Sequence, residues 1–395
     1  MSKLPFSQIT ADGFRGLRKL KVDELRSVNI FVGGNNSGKT SILEAIALLT
    51  NPYDSSEWTQ VVRRRDFGRL DESPILSLRW CFSQELSSTL DPNFHINNKL
   101  NCTLGADGYF PIRAIKSSYK EFNKEIVDTE IFQEEVNGEV IENEITTQKI
   151  VRSCIIESNL DWAESTYFDQ DFKGEALPKK SSRLKYNDNR PIFYALGLGY
   201  RRLSRQGKFG LNYAALLPYS YQLNTLQVTR HSEFIFKDRD NLLEIIRCFD
   251  NQVESIDIAS FLGERPAIYI KHKQLGVAPL SAFGDAMRRC LLLATTMASL
   301  GPGGVLLLDE IEVGIHTDAL PKIFNWLVKT AKKLEIQVFA TTHSIEVLDA
   351  LLASELNADD LAAYQVKQIE EKTECKRFSG STLKRLRQQR GLDIR

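Results

Sequence analysis

Eight residues near the start of the chain have the types and spacing that bind phosphate. Residues 33–40 read Gly-Gly-Asn-Asn-Ser-Gly-Lys-Thr and fit the pattern GxxxxGK[ST], in which glycines let backbone N–H groups turn toward phosphate oxygens at a helix N-terminus. Lys39 is expected to hold the β and γ phosphates of ATP, and the Thr40 hydroxyl to bind Mg²⁺, which prefers oxygen ligands. The residues predicted to contact the nucleotide are Gly33, Asn35, Asn36, Ser37, Gly38, Lys39, Thr40 and Ser41.

Two adjacent carboxylates follow an apolar run late in the chain. Val305–Leu308 is predicted to be a buried strand, and Asp309 and Glu310 come directly after it. Ligands of open α/β sheets lie at the carboxyl ends of strands, so both carboxylates are expected at that edge. We predict that Asp309 serves Mg²⁺ and that Glu310 orients or deprotonates the attacking water, because phosphoryl transfer needs an in-line nucleophile.

A serine and a glycine, Ser281 and Gly284, open a predicted long helix before the acidic strand. The segment resembles a degenerate ABC signature. In ABC dimers this serine and the helix N-terminus face the γ-phosphate of the ATP held by the opposite subunit, where the helix dipole stabilises transferred charge. The alternative is that Ser281 is a plain helix N-cap. His343 ends a predicted strand, 338–341, at the position from which ABC enzymes contact the γ-phosphate and water, although a lone histidine is usually structural.

The elements that must position these residues alternate between strand and helix. The strand 28–32 precedes the phosphate loop, and a helix containing Ile42 and Leu49 follows it. From residue 241 onward helices and strands alternate again, which predicts a doubly wound sheet. The predicted fold is α/β, a P-loop NTPase of ABC type with a mixed sheet and a helical lobe, plus an inserted α+β region. The predicted boundaries are 1–85 for the N-terminal part of the ATPase domain, 86–225 for the insertion and 226–395 for the C-terminal part with its basic tail.

The middle stretch is irregular and acidic, and its clearest local signal is Asn137-Gly138, a pair typical of a β-hairpin turn. The long separation between Lys39 and Asp309 favours an ABC layout with an insertion, because a hexameric AAA+ motor would place the two elements in one compact module. We expect the insertion to recognise a partner.

With these motifs in place, the two ends of the chain resemble ABC-type ATPases of the overcoming-lysogenization-defect (OLD), RecF and chromosome-maintenance group. Residues 14–16, Phe-Arg-Gly, match an early element of that group whose arginine often lies near the nucleotide, which makes Arg15 a candidate contact. The resemblance places His316 near a dimer interface. Gln84, after a predicted strand 76–82, is the best candidate for the glutamine that contacts the metal, although a surface glutamine is equally consistent. We recognise in the sequence neither the zinc hook and long coiled coil of chromosome-maintenance proteins nor a TOPRIM nuclease module after the ATPase part.

The composition excludes some functions and leaves others open. Lysine plus arginine equals aspartate plus glutamate at 51 each, so overall charge does not indicate a nucleic-acid binder. The six cysteines form no metal-binding pattern, and no run is apolar enough for a membrane span or a signal peptide, so a cytoplasmic protein is expected.

ATPases of this group without a fused nuclease resemble subunits of anti-phage systems of the Septu, retron-associated and PARIS types. The resemblance implies a homodimer that senses a signal and regulates a separate effector, a nuclease or a toxin. One alternative is a RecF-like repair ATPase that binds DNA directly, with basic stretches at 63–65 and in the tail as contacts, although a solvated helix face explains these stretches at least as well. Another is a scaffold that binds nucleotide without hydrolysing it, which Glu310 and His343 disfavour.

Overall fold

The computed structural model describes residues 4–51, 56–65, 74–82, 99–108, 112–136, 139–162, 181–187, 190–194, 213–216, 239–247, 250–260, 266–353 and 360–389. Within these ranges the chain forms three β-sheets with flanking helices, and its buried apolar side chains form two large clusters. No helix in the described ranges combines the length and apolar content needed to cross a bilayer.

The central sheet positions the phosphate loop and the acidic pair. Its strands are β3 (Val28–Val32), β9 (Tyr213–Leu216), β13 (Val305–Leu308), β14 (Gln337–Thr342), β15 (Leu361–Ile369) and β16 (Lys372–Ser379). In the described residues their order in the sheet is β16-β15-β3-β14-β13-β9. All neighbouring pairs are parallel except the edge pair β15–β16. Because β3, β13 and β14 are parallel neighbours in the order β3-β14-β13, the loops that follow them meet at one edge.

Successive residues of β3 face opposite sides of the sheet, and this alternation explains the two apolar clusters. Val28, Ile30 and Val32 belong to one cluster and Phe31 to the other, and all four are fully buried. Helices cover both faces, as a buried parallel sheet requires. They are α1 (Lys39–Thr50), α2 (Ser56–Arg65), α3 (Pro74–Arg79), α4 (Arg239–Arg247), α5 (Asp285–Leu300), α6 (Leu320–Lys333), α7 (Ile345–Ala353) and α8 (Gly380–Lys384).

The second sheet is antiparallel. Its strands are β1 (Gln8–Asp12), β2 (Leu20–Val22), β4 (Leu100–Asp107), β5 (Ile112–Val136), β6 (Glu139–Trp162), β7 (Ser181–Asn187) and β8 (Arg190–Tyr194). In the described residues their order is β2-β1-β4-β5-β6-β7-β8. Strands β5 and β6 are much longer than the short runs expected for the middle stretch. Val136 pairs with Glu139, which confirms the hairpin predicted at Asn137-Gly138.

A third sheet, β10 (Val253–Ala259), β11 (Ala267–His272) and β12 (Gly276–Pro279), precedes α5. The predicted α/β fold with a mixed sheet is confirmed, as are the predicted strand before the phosphate loop and the strands at 305–308 and 338–341. Strands of the predicted insertion, 86–225, belong to the same sheets as strands outside it, since β4 pairs with β1 and β9 pairs with β13. Its boundaries stay a prediction.

The strand predicted at 76–82 is wrong, because residues 74–79 form the helix α3. Pro74 occupies its first position, where the missing N–H costs nothing. Ile75 and Leu78 are fully buried at helical spacing, whereas Trp80 is 51% exposed. The apolar residues therefore follow a helical stripe, which over so few residues is easily mistaken for alternation.

Candidate ATPase site

Backbone conformations at the turn between β3 and α1 explain the glycines of the phosphate loop. Gly33 has φ +155° and Gly38 has φ +98°, both in the region that favours glycine. A Cβ at Gly33 would lie 2.5 Å from the main-chain oxygen of Val366, and one at Gly38 would lie 2.9 Å from Leu17 Cδ2. The loop is thus closely packed on β15 and on the N-terminal segment, while residues 34–36 face outward.

Lys39 begins α1 and directs its ammonium into the concavity of the loop. Its Nζ donates to the main-chain oxygens of Gly33 at 2.9 Å and Gly34 at 2.8 Å. The residue is buried, and burial lowers the pKa of the Lys39 ammonium below its ordinary value, although nearby carboxylates oppose this shift. The ammonium is therefore a weakly hydrated cation in the loop that is predicted to bind the phosphates.

Thr40 and Asp309 come together although they are 269 positions apart in the chain. The Thr40 hydroxyl lies 3.1 Å from both carboxylate oxygens of Asp309. On the other side, the buried Thr341 hydroxyl of β14 donates to Asp309 Oδ1 at 2.5 Å. A hydroxyl and a carboxylate oriented in this way form a hard oxygen pair, the type of ligand set that Mg²⁺ prefers.

Glu310 follows Asp309 in a left-handed conformation, φ +49°, which is uncommon for a residue with a side chain. Two contacts hold its backbone there. Its N–H donates to the Thr341 hydroxyl at 2.8 Å, and its main-chain oxygen accepts from Arg289 Nη2 at 2.9 Å. Arg289 is buried, lies on α5 and also donates to the oxygen of Ile311 at 3.0 Å. The Glu310 side chain is half-buried, so it can meet a water at the edge of the sheet.

His343 follows β14 and lies next to the acidic loop. Its backbone N–H donates to Glu312 Oε1 at 2.9 Å, and its side chain is half-buried. The Glu312 carboxylate thus connects the loop after β13 to the loop after β14. This places His343 at the same sheet edge as Asp309, as predicted.

Arg15 contacts the helix that follows the phosphate loop, and the hairpin β15–β16 contacts the loop itself. Arg15 Nε lies 2.6 Å from a carboxylate oxygen of buried Glu44 on α1, and Arg15 has φ +50°. Arg15 is therefore ion-paired beside α1. Gln368, at the end of β15, donates from Nε2 to the main-chain oxygens of Gly16 and Ser37, both at 3.3 Å.

The predicted signature residues lie outside this cluster. Ser281 belongs to a 3-10 turn, Leu280–Ala282, and α5 begins only at Asp285 with Gly284 as its N-cap residue. The predicted start of the long helix at Ser281 is therefore wrong by about one turn. The N-cap residue of α5 is Gly284. Both residues are exposed, as is His316. Gln84 lies outside the described residues.

Thr341, Arg289, Glu312 and Gln368 were missed as functional candidates. The threonine pair at 341–342, directly before His343, could have signalled Thr341, because hydroxyls at a strand end reach neighbouring loops. No local sequence pattern marks Arg289 or Gln368, because both side chains contact main-chain oxygens of residues that are distant in the sequence.

The residues present fit Mg·ATP. The loop offers backbone N–H groups and a buried ammonium for phosphate, and Thr40 and Asp309 offer oxygens for the metal. When bound, Mg²⁺ would neutralise developing charge on the phosphate oxygens.

Two family models match the chain. The family described as "AAA domain, putative AbiEii toxin, Type IV TA system" matches residues 128–349, more than half of the chain. The family described as "AAA ATPase domain" matches residues 6–193.

Two named proteins are similar to this chain in sequence. An "ATP/GTP phosphatase" of Helicobacter pylori is 21% identical over 94% of both chains. A "DNA replication and repair protein RecF" of Heliobacterium modesticaldum is 60% identical, but only over 72 residues, 16% of this chain and 19% of that protein.

Among solved structures, an SMC head bound to the C-terminal winged-helix domain of ScpA matches with a TM-score of 0.45 and 13% identity, over 95% of this chain and 97% of that one. The SMC head domain of Thermotoga maritima matches with a TM-score of 0.43 and 12% identity, over 95% of this chain and 100% of that one.

The phosphate loop, the acidic pair and the matched family models lead to one conclusion. The chain belongs to the family described as "AAA domain, putative AbiEii toxin, Type IV TA system", and it is an ATPase.

Proposed function

We propose that this ATPase works in the cytoplasm as a head-to-tail homodimer that encloses two Mg·ATP, and that it regulates a separate nuclease or toxin in anti-phage defence. ATP binding closes the dimer and hydrolysis opens it. An effector that binds the two shapes with different affinity is thereby switched.

The observation that carries the dimer is the exposure of the signature segment. Within one chain the Lys39 ammonium lies in the phosphate loop and the Thr40 hydroxyl contacts Asp309, which supports one half of a nucleotide site there. Ser281 and the N-terminus of α5 are exposed, and no hydrogen bond in the described ranges connects Ser281 to the phosphate loop. A second copy can therefore supply the serine and the helix dipole to the γ-phosphate.

Each residue has a defined part in hydrolysis. Lys39 holds the phosphates, and Thr40 with Asp309 holds the metal. Glu310 takes a proton from the attacking water or orients it, and His343 contacts the γ-phosphate and the water from the neighbouring loop. Ser281 of the second copy stabilises the charge on the transferred group.

A Glu310→Gln protein tests the catalytic and dimer assignments together. With ATP and Mg²⁺ it should accumulate as a dimer and lose turnover, measured by sedimentation velocity and phosphate release. A variant that hydrolyses ATP at the parent rate, or stays monomeric with bound ATP, contradicts the assignment.

The description of the matched family as a toxin of a toxin–antitoxin system supports a defence role. The test is co-purification of the tagged chain with the products of neighbouring genes. A nuclease or toxin that elutes with the chain and is released or activated by ATP turnover is the expected result. Recovery of the chain without any such product would contradict the effector role.

A second candidate is a DNA-binding repair ATPase, which the 72-residue similarity to a RecF protein favours. Part of the basic tail is already engaged within the chain, because Arg387 pairs with Asp349 at 2.7 Å and Arg377 with Glu24 at 3.0 Å. ATP-dependent binding to DNA ends or gaps, with a steep salt dependence, would establish this candidate. Absence of binding at low salt with ATP would remove it.

A further inference from the structure

His343 lies in a two-residue loop between β14, which ends at Thr342, and α7, which begins at Ile345. Local side chains hold the second residue of this loop. The Ser344 N–H donates to Thr342 Oγ1 at 3.0 Å, and Ser344 Oγ accepts the N–H of Val347 at 3.2 Å, as a helix N-cap does. The N–H of His343 instead donates to a carboxylate from the loop after β13, so the backbone of His343 is held by a residue outside its own loop.

That carboxylate belongs to Glu312, and its loop is attached to β14 residue by residue. Residues 309–311 each hydrogen-bond to Thr341, through a carboxylate oxygen at 2.5 Å and through two backbone N–H groups at 2.8 and 3.0 Å. Glu312 Oε1 continues this series by accepting the His343 N–H at 2.9 Å. The segment that carries Glu310 and the loop that carries His343 are therefore joined by consecutive hydrogen bonds.

The hydrogen bonding of the Glu312 side chain is confined to His343 in the part of the chain that the structure describes. Its second oxygen, Oε2, is buried and receives no hydrogen bond from a described residue. Its charge has a separate effect, because burial lowers the pKa of the Lys39 ammonium and the Glu312 carboxylate is one of three that oppose this shift. Replacement of Glu312 can therefore act through the His343 backbone or through the charge, and an amide at this position distinguishes the two.

We propose that Glu312 is a positioning residue for ATP hydrolysis, which acts by holding His343 in place relative to the acidic pair. The proposal rests on the role of His343 in the proposed function and requires neither the dimer nor an effector. In-line attack tolerates little displacement, and a shift of about 1 Å in a group at the reacting centre can cost about a hundredfold in rate. The bond from Glu312 to His343 therefore favours the chemical step, while the phosphate loop binds the nucleotide independently of it.

Two variants of nearly the same size separate position from charge. Glu312→Met removes the strong acceptor of the His343 N–H and should lower kcat about thirtyfold, with the equilibrium affinity for ATP within about threefold of the parent. Glu312→Gln should recover kcat to within about threefold of the parent, since the amide oxygen still accepts that N–H although the charge is lost. Steady-state phosphate release and nucleotide titration measure the two quantities. A Glu312→Gln protein as slow as Glu312→Met would assign the effect to the charge and overturn the proposal.

A double-mutant cycle tests whether Glu312 acts through His343. In a His343→Ala background, Glu312→Met should change kcat by less than about twofold, because the side chain that Glu312 positions is absent. A further loss of about thirtyfold in that background would show that Glu312 acts by another route. If His343→Ala lowers kcat but Glu312→Met does not, this inference is wrong and the proposed role of His343 stands. If His343→Ala alone keeps the parent kcat, both fail.

Asp250→Ala is the matched control. The half-buried Asp250 likewise accepts a backbone N–H, that of Gln252 at 2.9 Å, but in the turn before β10. Its replacement also removes a carboxylate acceptor from a turn and should leave kcat unchanged. Thermal midpoints of the Glu312 and His343 variants close to that of the parent would show that the loss of rate is not a loss of folded protein.

Discussion

Arg289 Nη2 donates to the main-chain oxygen of Glu310 at 2.9 Å, so a buried side chain from α5 holds the backbone of the proposed catalytic glutamate. The same helix begins at Asp285, shortly after the 3-10 turn that contains the exposed Ser281. In the proposed dimer, a shift of α5 on contact with the second copy would reach the Glu310 backbone through the Arg289 side chain.

Arg289→Met is expected to lower kcat about a hundredfold and to leave ATP affinity within about threefold, because a displaced general base slows chemistry more than binding. Arg289→Lys should not rescue the activity, since one ammonium cannot reproduce the guanidinium fork that binds the oxygens of both Glu310 and Ile311. Steady-state phosphate release and equilibrium nucleotide binding separate the two effects.

Arg247→Met is the control for that experiment. Arg247 on α4 likewise donates to two main-chain oxygens, those of Val253 and Glu254, but away from the acidic pair. Its replacement should leave kcat unchanged. An Arg289→Met enzyme with normal kcat and a raised KM would show that Arg289 does not position Glu310.

Thr341→Val should impair both metal binding and turnover. The Thr341 hydroxyl donates to Asp309 and accepts from the Glu310 N–H, and valine keeps the shape while leaving both groups without this partner. The expected loss of unfolding free energy is about 1–3 kcal/mol, with a higher Mg²⁺ requirement for hydrolysis. Thr341→Ser keeps the hydroxyl and should retain most activity. Equal Mg²⁺ dependence in Thr341→Val and the parent would refute the bridge.

The lowered pKa of Lys39 predicts a specific pH dependence of stability. Between that lowered pKa and the ordinary value of 10.5, the unfolded chain binds more protons at residue 39 than the folded chain does. The free energy of unfolding contributed by this group therefore rises with pH in that window. Urea unfolding of the parent and Lys39→Met at stepped pH should show the parent gaining relative to the variant as the pH approaches 10.5. If the free energies of unfolding of the two proteins change in parallel with pH, burial does not lower the pKa of Lys39.

Gly33→Ala should disrupt the phosphate loop, because its Cβ would lie 2.5 Å from Val366 O at a φ of +155°. The expected cost is at least about 1–3 kcal/mol of stability, accompanied by loss of nucleotide binding. Gly34→Ala is the matched control, since an added Cβ there meets no described atom within 4 Å. Calorimetry and nucleotide titration of both variants distinguish a steric effect from a general loss of glycine.

Prediction from the sequence succeeded where a few adjacent residues determine both conformation and chemistry. The phosphate loop, the Asp309–Glu310 pair and the Asn137-Gly138 hairpin are features of this kind, and the structure has each element at the predicted place. The short segment around Leu78 is misassigned because the stripe of buried Ile75 and Leu78, over six residues, is easily mistaken for the alternation of a strand.

The supporting contacts could not be predicted, because they join residues that are far apart in the chain. Gln368 reaches Ser37 across 331 positions, and Arg289 acts on main-chain atoms that leave no trace in residue types. The pairing of β4 with β1 likewise depends on which side of the sheet the chain returns to.

The position of β3 between β14 and β15 has a consequence for synthesis on the ribosome. The strand that leads into the phosphate loop emerges early, but both of its neighbours are translated near the end, and Phe6 and Gln337 hydrogen-bond across 331 positions. Parallel pairing of such distant segments folds slowly. A nascent chain is therefore expected to carry its ATP-binding loop without these neighbouring strands until β15 has left the exit tunnel.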